Sequence, residues 1–152
     1  DYREYYEEKG MFENEVCPGI KELLRVLTKQ GILCLVATSK PEIYAKKILD
    51  YYKLRTYFHY IAGANMDGTR TDKAEVIAYA LKQIPAEYNN KKILMVGDRS
   101  HDIIGAKKNG IDCAGVLFGY GSREELEEAG ADFIADSVEA VRNIILLDTA
   151  MN

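Results

Sequence analysis

An α/β fold, with a mostly parallel sheet covered by helices on both faces, is what this sequence predicts. Three observations carry the expectation. Short apolar runs of strand length alternate with amphipathic stretches of helical period along the chain. The run "ILCLVAT" is continuous rather than alternating, as in a strand buried on both faces. Polar residues collect just after such runs, where open parallel sheets bind ligands.

The elements follow in order. Pro18 opens an expected helix in "PGIKELLRVLTKQG", with Ile20, Leu23, Leu24 and Leu27 at helical spacing and Gly31 as the stop. "ILCLVAT" is the first strand. "KPEIYAKKILDYY" reads as a helix with Ile43, Lys47 and Tyr51 on one face and Lys46 and Asp50 on another. "YFHYIAGA" is a short strand with its exit. "TDKAEVIAYALKQI" is an amphipathic helix, with Thr71 or Asp72 as N-cap and Glu75 placed to complete a capping box. "KKILMVGD" is a strand and "SHDIIGAKKNG" a helix ending at Gly110. "DCAGVLFG" is a strand, and "SREELEEAG" a short helix between Ser122 as cap and Gly130 as stop. "ADFIAD" is a last short strand. The closing helix "SVEAVRNIILL" turns Val138, Val141, Ile144 and Ile145 to one side.

Composition narrows the function. The 152 residues match the common size of one domain, and 47% hydrophobic with 29% charged residues can bury a core. A formal charge of -4 argues against nucleic acid or an anionic membrane as the main partner. No apolar run approaches the roughly 20 residues of a membrane helix. Cys17, Cys34 and Cys113 fit neither a zinc spacing nor a disulfide framework, which points to a reducing, cytoplasmic setting. The 15 Tyr and Phe residues are scattered on apolar faces and read as core.

The strand ends hold the candidate chemistry. Thr38, Ser39 and Lys40 follow the first strand, before Pro41. A hydroxyl and free amides at a helix start can hold an anion, and they can equally be an ordinary cap. Lys73 stands just inside a helix, where a cation is mildly unfavourable; by itself it reads as a solvated surface residue. After "ILMV" come Gly97, Asp98, Arg99, Ser100, His101 and Asp102. Acids at i and i+4 across a strand end can face one spot. Capping needs only one acid, and Ser100 is a good cap itself. Two hard oxygen donors there suit Mg²⁺, which takes one or two carboxylates with waters and substrate phosphate. His101 reads as a surface or packing residue, and Arg99 as the partner of a nearby acid or a ligand.

Taken together, "LVATSKPE", "DGTRTDKAEVI", "MVGDRSHDIIGAKKNGI" and "GVLFGYGSREELEEAGADFIADS" resemble the haloacid dehalogenase superfamily of phosphatases, in its phosphoglycolate phosphatase-like and 5′-nucleotidase-like branch. The likeness runs from Cys17 to near the end of the chain. It implies a Rossmann-like core over 17–152. Thr38, with the Ser39 amide, would hold the transferring phosphoryl group. Lys73 would neutralise charge between nucleophile and phosphate. Asp98 would be a Mg²⁺ ligand, with Asp102 as its helper or its support. Residues 1–16 resemble the end of a helical cap and the return linker to the core.

One part of the pattern is missing. The family attacks phosphate with an aspartate in an Asp-x-Asp-x-Thr motif after an earlier, central strand. No such motif occurs here; Asp67-Gly68-Thr69 lacks the first Asp and reads as a turn. The resemblance thus implies a sheet without its first, central strand, and a segment of the same protein expected upstream. Two function classes follow. One is a Mg²⁺-dependent hydrolase of a small phosphorylated metabolite, phosphoglycolate or a nucleoside monophosphate in type, with neither nucleic acid nor membrane as partner. In it the present chain, lacking its nucleophile, would be inactive alone. The other is an inactive module that binds phosphate or another protein.

Overall fold

The computed structural model describes residues 17–150, with side chains through Leu147. The expected cap end and linker, 1–16, lie outside the described residues. Helix α1 spans Ile20–Lys29, two residues later than Pro18 suggested, because Gly19 adopts φ 90° and a turn holds Cys17 to Gly19. Its buried stripe is Ile20, Leu23, Leu24 and Leu27, as the spacing required. Gly31, at φ 75°, ends it.

Strand β1 runs Leu35–Pro41, so it starts and ends three residues later than the apolar run. The cause of the late end is Pro41, which keeps Lys40 out of helical backbone. Helix α2 (Glu42–Tyr51) therefore begins after the proline, not at Lys40. Its buried residues are Ala45 and Leu49, whereas Ile43 and Tyr51 are 50% and 78% exposed. A 3₁₀ turn (Arg55–Tyr57) leads to β2 (Tyr60–Ala64), which pairs parallel to β1 with Leu35 opposite Tyr60 and Ala37 opposite Ala62.

Helix α3 (Lys73–Leu81) is capped by Asp72, whose carboxylate accepts from Ala74 N at 3.1 Å. Strand β3 (Leu94–Gly97) pairs parallel with β4 (Asp112–Val116), and β4 with β5 (Phe133–Ala135). Helix α4 (Ser100–Lys108) lies between β3 and β4 in the chain. Ser100 is its first residue rather than its cap; a carboxylate one turn inside replaces it, as described below. Helix α5 (Arg123–Ala129) has the expected ends: Ser122 Oγ accepts from Glu125 N at 3.1 Å, and Gly130 sits at φ 99°. Helix α6 (Val138–Ala150) buries Val141 and Ile145.

Among the described residues the strands form two parallel sheets, β1-β2 and β3-β4-β5, with no ladder between β1 and β3. Two apolar clusters nonetheless run across both. Val36 shares one with Val96, Ala114 and α1 and α6. Leu35 and Ala37 share the other with Met95, Cys113 and the helices α3, α4 and α5. The two sheets thus occupy one layer between two helical layers, and alternate side chains of each strand feed opposite clusters. This is the Rossmann-like architecture without the strand that would join its halves.

Cys34 and Cys113 are buried small core residues, as their strand positions suggested, and burial pushes the Cys113 thiol up to about 11. The aromatic expectation needs correction. Phe58 is buried, but Tyr44, Tyr51, Tyr120 and Phe133 are exposed. Each stands on a helix flank, a loop or an edge strand where the core lies on the other side. No helix of the described residues is long and apolar enough to cross a membrane.

Candidate functional site

Among the described residues, the buried polar and charged side chains are Thr38, Lys73, Asp98 and Asp102. Burying such groups is costly unless they are paired or hydrogen-bonded. Thr38 lies within β1, Asp98 directly follows β3, and Lys73 and Asp102 stand in the first turns of α3 and α4.

Lys73 is 4% exposed, which overturns the solvated-surface reading of this residue taken alone. Asp72 caps α3 and sets its first turn, so Lys73 enters the core as the first helical residue. Its Nζ lies 2.7 Å from Asp102 Oδ1. The other oxygen, Asp102 Oδ2, accepts the amides of Asp98 (3.0 Å) and Arg99 (3.1 Å). Asp102 therefore closes the turn between β3 and α4 and holds Lys73 with the same carboxylate. Gly97 makes this possible: a Cβ there would stand 2.4 Å from Asp102 Cβ.

Asp98 is fully buried, and a loop after β4 cradles it. Its Oδ2 accepts from Tyr120 N at 2.8 Å, and its carbonyl accepts from Gly121 N at 2.9 Å. A Cβ on Gly119 would meet Asp98 Oδ2 at 2.2 Å. The glycines of "FGYGS" are thus the signal for a carboxylate cradle that the sequence reading passed over. Glu125, on α5, was missed as well. Its Oε2 accepts from Arg99 Nε (2.9 Å) and Ser100 N (2.7 Å), fixing the start of α4 from outside. The Arg99 guanidinium, then the Ser100 amide, hold the Glu125 carboxyl below its usual range.

Asp102 joins Lys73, at Oδ1, and the backbone amide of Asp98, at Oδ2. Thr38 is 1% exposed in the middle of β1, just after the regular pairing with β2 stops at Ala37, and its Oγ1 accepts from Lys40 N at 3.0 Å. Ser39 beside it is exposed. His101 is also exposed at 48%, with Nε2 3.9 Å from Asp102 Oδ1. Asp67 and Thr69 form an exposed turn: Asp67 Oδ1 accepts from Thr69 N (3.0 Å) and Thr69 Oγ1 (2.7 Å). That pattern is an Asx turn, as the sequence suggested.

The donor set can be tested against a divalent cation. Asp98 offers a buried hard carboxylate at a strand end. Asp102 is committed on both oxygens, so it suits support better than direct ligation. No group of three or more His, Cys, Asp or Glu gathers among the described residues. That is compatible with Mg²⁺, which keeps several waters and needs few protein carboxylates.

The three-layer parallel fold and the buried Thr38, Lys73, Asp98 and Asp102 agree with what the chain resembles among known proteins. The profile of the haloacid dehalogenase-like hydrolases matches residues 1–116, and the chain belongs to that family. A 5′-nucleotidase of Pseudomonas aeruginosa is 39% identical over 146 residues, 95% of this chain and 64% of that protein. The tyrosine-protein kinase PtkA of Mycobacterium tuberculosis is 37% identical over 147 residues, 95% of this chain and 50% of that protein. The crystal structure of a predicted phosphatase from Clostridium acetobutylicum superposes with a TM-score of 0.81 at 44% identity, covering 94% of this chain and 65% of that one. The chain therefore spans between half and two thirds of these relatives.

Proposed function

We propose that these residues form the phosphate- and metal-binding part of a phosphomonoesterase acting on small soluble phosphorylated metabolites, of phosphoglycolate or nucleoside monophosphate type. The observation that carries the reading is the burial of one Thr, one Lys and two Asp side chains, on β1, just after β3 and in the first turns of α3 and α4, while the other buried side chains among the described residues are apolar. Phosphoryl transfer needs positioned charge around the phosphate oxygens more than covalent chemistry. Thr38 Oγ1 and the Ser39 amide hold a phosphoryl oxygen. The Lys73 ammonium, aimed by Asp102, offsets the negative charge. Asp98 holds Mg²⁺, with Asp102 supporting it through the turn. When bound, Mg²⁺ supplies further charge neutralisation at the phosphate.

The nucleophile comes from outside these 152 residues. An upstream segment of the same protein supplies a strand ending in Asp-x-Asp-x-Thr, and the chain from Cys17 onward forms the rest of the core. The 152 residues alone are inactive, and the site works in the cytoplasm. Names among the relatives favour hydrolysis: a 5′-nucleotidase and several phosphoglycolate phosphatases.

The test is Mg²⁺-dependent hydrolysis of phosphoglycolate and nucleoside monophosphates by the protein with its upstream coding sequence. Asp98→Asn is expected to lower the rate at least about a hundredfold, as loss of a key charge-stabilising group does. Full activity in that variant would sink the assignment. The absence of Asp-x-Asp-x-Thr from the sequence favours a second reading, an inactive module that binds phosphate or a protein. An upstream region without that motif, beside a chain that still binds inorganic phosphate, would establish the second reading instead.

A further inference from the structure

We propose that Arg70 and Glu42 form a clamp that sets the distance between the phosphate-binding second half of β1 and Lys73. The inference rests on the roles of Thr38 and Lys73 given above and adds two positioning residues to them. Three segments meet at Gly63. The end of β1 and the start of α2 lie directly upon it, since a Cβ on Gly63 would stand 2.7 Å from both Lys40 O and Glu42 Cα. Glu42 Oε1 accepts from Gly63 N at 3.2 Å, and Arg70 Nε donates to Gly63 O at 2.9 Å. The two side chains thus take both polar groups of one residue on β2. They also face each other, with Arg70 Nη2 3.6 Å from Glu42 Oε1.

Arg70 is held on every side. Its Nη2 donates to Asn65 Oδ1 at 3.0 Å, and its Cζ stands 3.7 Å from the centre of the Tyr79 ring. Its backbone is left-handed at φ 54°, a conformation an arginine rarely takes. Such a residue persists where the surroundings determine it. Here the planar fork is spent on three partners from β2, the following loop and α2, with the ring of α3 beneath. Glu42 comes four residues after Thr38, and Arg70 three before Lys73. Movement of either segment would break the shared contact at Gly63.

Binding of inorganic phosphate in the presence of Mg²⁺, measured by calorimetry, tests the clamp through a double-mutant cycle. The variants are Arg70→Asn, Lys73→Met and their combination. Asn tolerates the left-handed backbone while lacking the fork. Arg70→Asn is expected to weaken phosphate binding about tenfold or more, and to add less than about twofold once Lys73 is Met, because the clamp acts through Lys73. Equal losses in both backgrounds overturn the proposal, because a merely structural defect adds independently. Unchanged binding in Arg70→Asn, with Lys73→Met impaired, overturns the clamp alone. A wild-type protein that binds no phosphate overturns the reading of the site and the clamp with it. Should Arg70→Asn fail to fold, Glu42→Gln gives the same cycle. It keeps an acceptor for Gly63 N and removes only the charge facing Arg70, and the same two outcomes apply.

Discussion

Lys73 Nζ and Asp102 Oδ1 lie 2.7 Å apart with side chains 4% and 0% exposed, so the buried ammonium is balanced by a buried carboxylate. A buried pair recovers its desolvation cost only with good geometry and further hydrogen bonds. Asp102 has both, since its second oxygen accepts two backbone amides. Removing one partner leaves the other charged in the core. Asp102→Ala should therefore destabilise the fold by ~3–5 kcal/mol. Urea unfolding of variant and wild type measures this, and a loss below about 1 kcal/mol would show that Lys73 finds other support.

The glycines next to the two acids make a second prediction. A methyl group on Gly97 would overlap Asp102 Cβ at 2.4 Å, a short-chain atom tied to the backbone of α4. Gly97→Ala should cost ~1–3 kcal/mol by overpacking. Gly119→Ala should act instead on Asp98, whose Oδ2 stands 2.2 Å from the added carbon. Its expected effect is weaker Mg²⁺ binding by the protein, read by calorimetry. Gly110→Ala is the control, for its φ is 72° and nothing lies within 4 Å of the new carbon. The control carries only the cost of its left-handed backbone, and Gly97 has no positive φ, so a Gly97→Ala variant as stable as wild type would overturn the overlap with Asp102.

How much of this was legible follows from where each signal resides. Alternation of apolar runs and helical stripes gave the layers, because burial of one face fixes that periodicity. Gly31, Gly110, Ser122 and Gly130 marked helix ends through local backbone chemistry alone. Thr38, Lys73, Asp98 and Asp102 were visible as candidates through their order after strands. Their burial was not, because it depends on residues far apart in the chain closing over them. Lys73 shows this best: nothing beside it in sequence reveals Asp102. Glu125 and the Gly119 to Gly121 cradle escaped for the same reason. On α2 the spacing put Ile43, Lys47 and Tyr51 on one face, but only the structure shows that this face is exposed and that the smaller Ala45, with Leu49, is buried.

Acid should reveal the role of Glu125. Its carboxyl is held below its ordinary value of 4.5, first by the Arg99 side chain and then by the Ser100 amide. A lowered folded-state pKa contributes stability that is present above the unfolded value and disappears as pH falls through the folded one. Glu125→Gln removes that contribution. The stability gap between wild type and variant should be full at neutral pH and close as the pH drops below 4.5. Chemical unfolding across that range checks the sign; a gap that widens in acid would contradict the assignment of Arg99 and Ser100 as its partners.

The edges of β1 and β3 give the last prediction. Both strands feed the same two apolar clusters, yet among the described residues they do not pair with each other. Backbone groups on such edges stay hydrogen-bonded in a stable protein. If an upstream strand lies between them, the amides of Leu35 to Ala37 that face away from β2, and those of Leu94 and Val96 that face away from β4, exchange quickly in the 152-residue chain. They become protected when the chain is extended through its upstream coding sequence, and the unfolding temperature rises by several degrees, on the order expected for ~1–2 kcal/mol in a domain of this size. The other edge of each strand, facing β2 or β4, serves as the internal reference because its ladder is already formed. Protection that is equal on both edges before extension would mean that the two halves of the sheet close without a further strand, and the source of the nucleophile would have to be sought elsewhere.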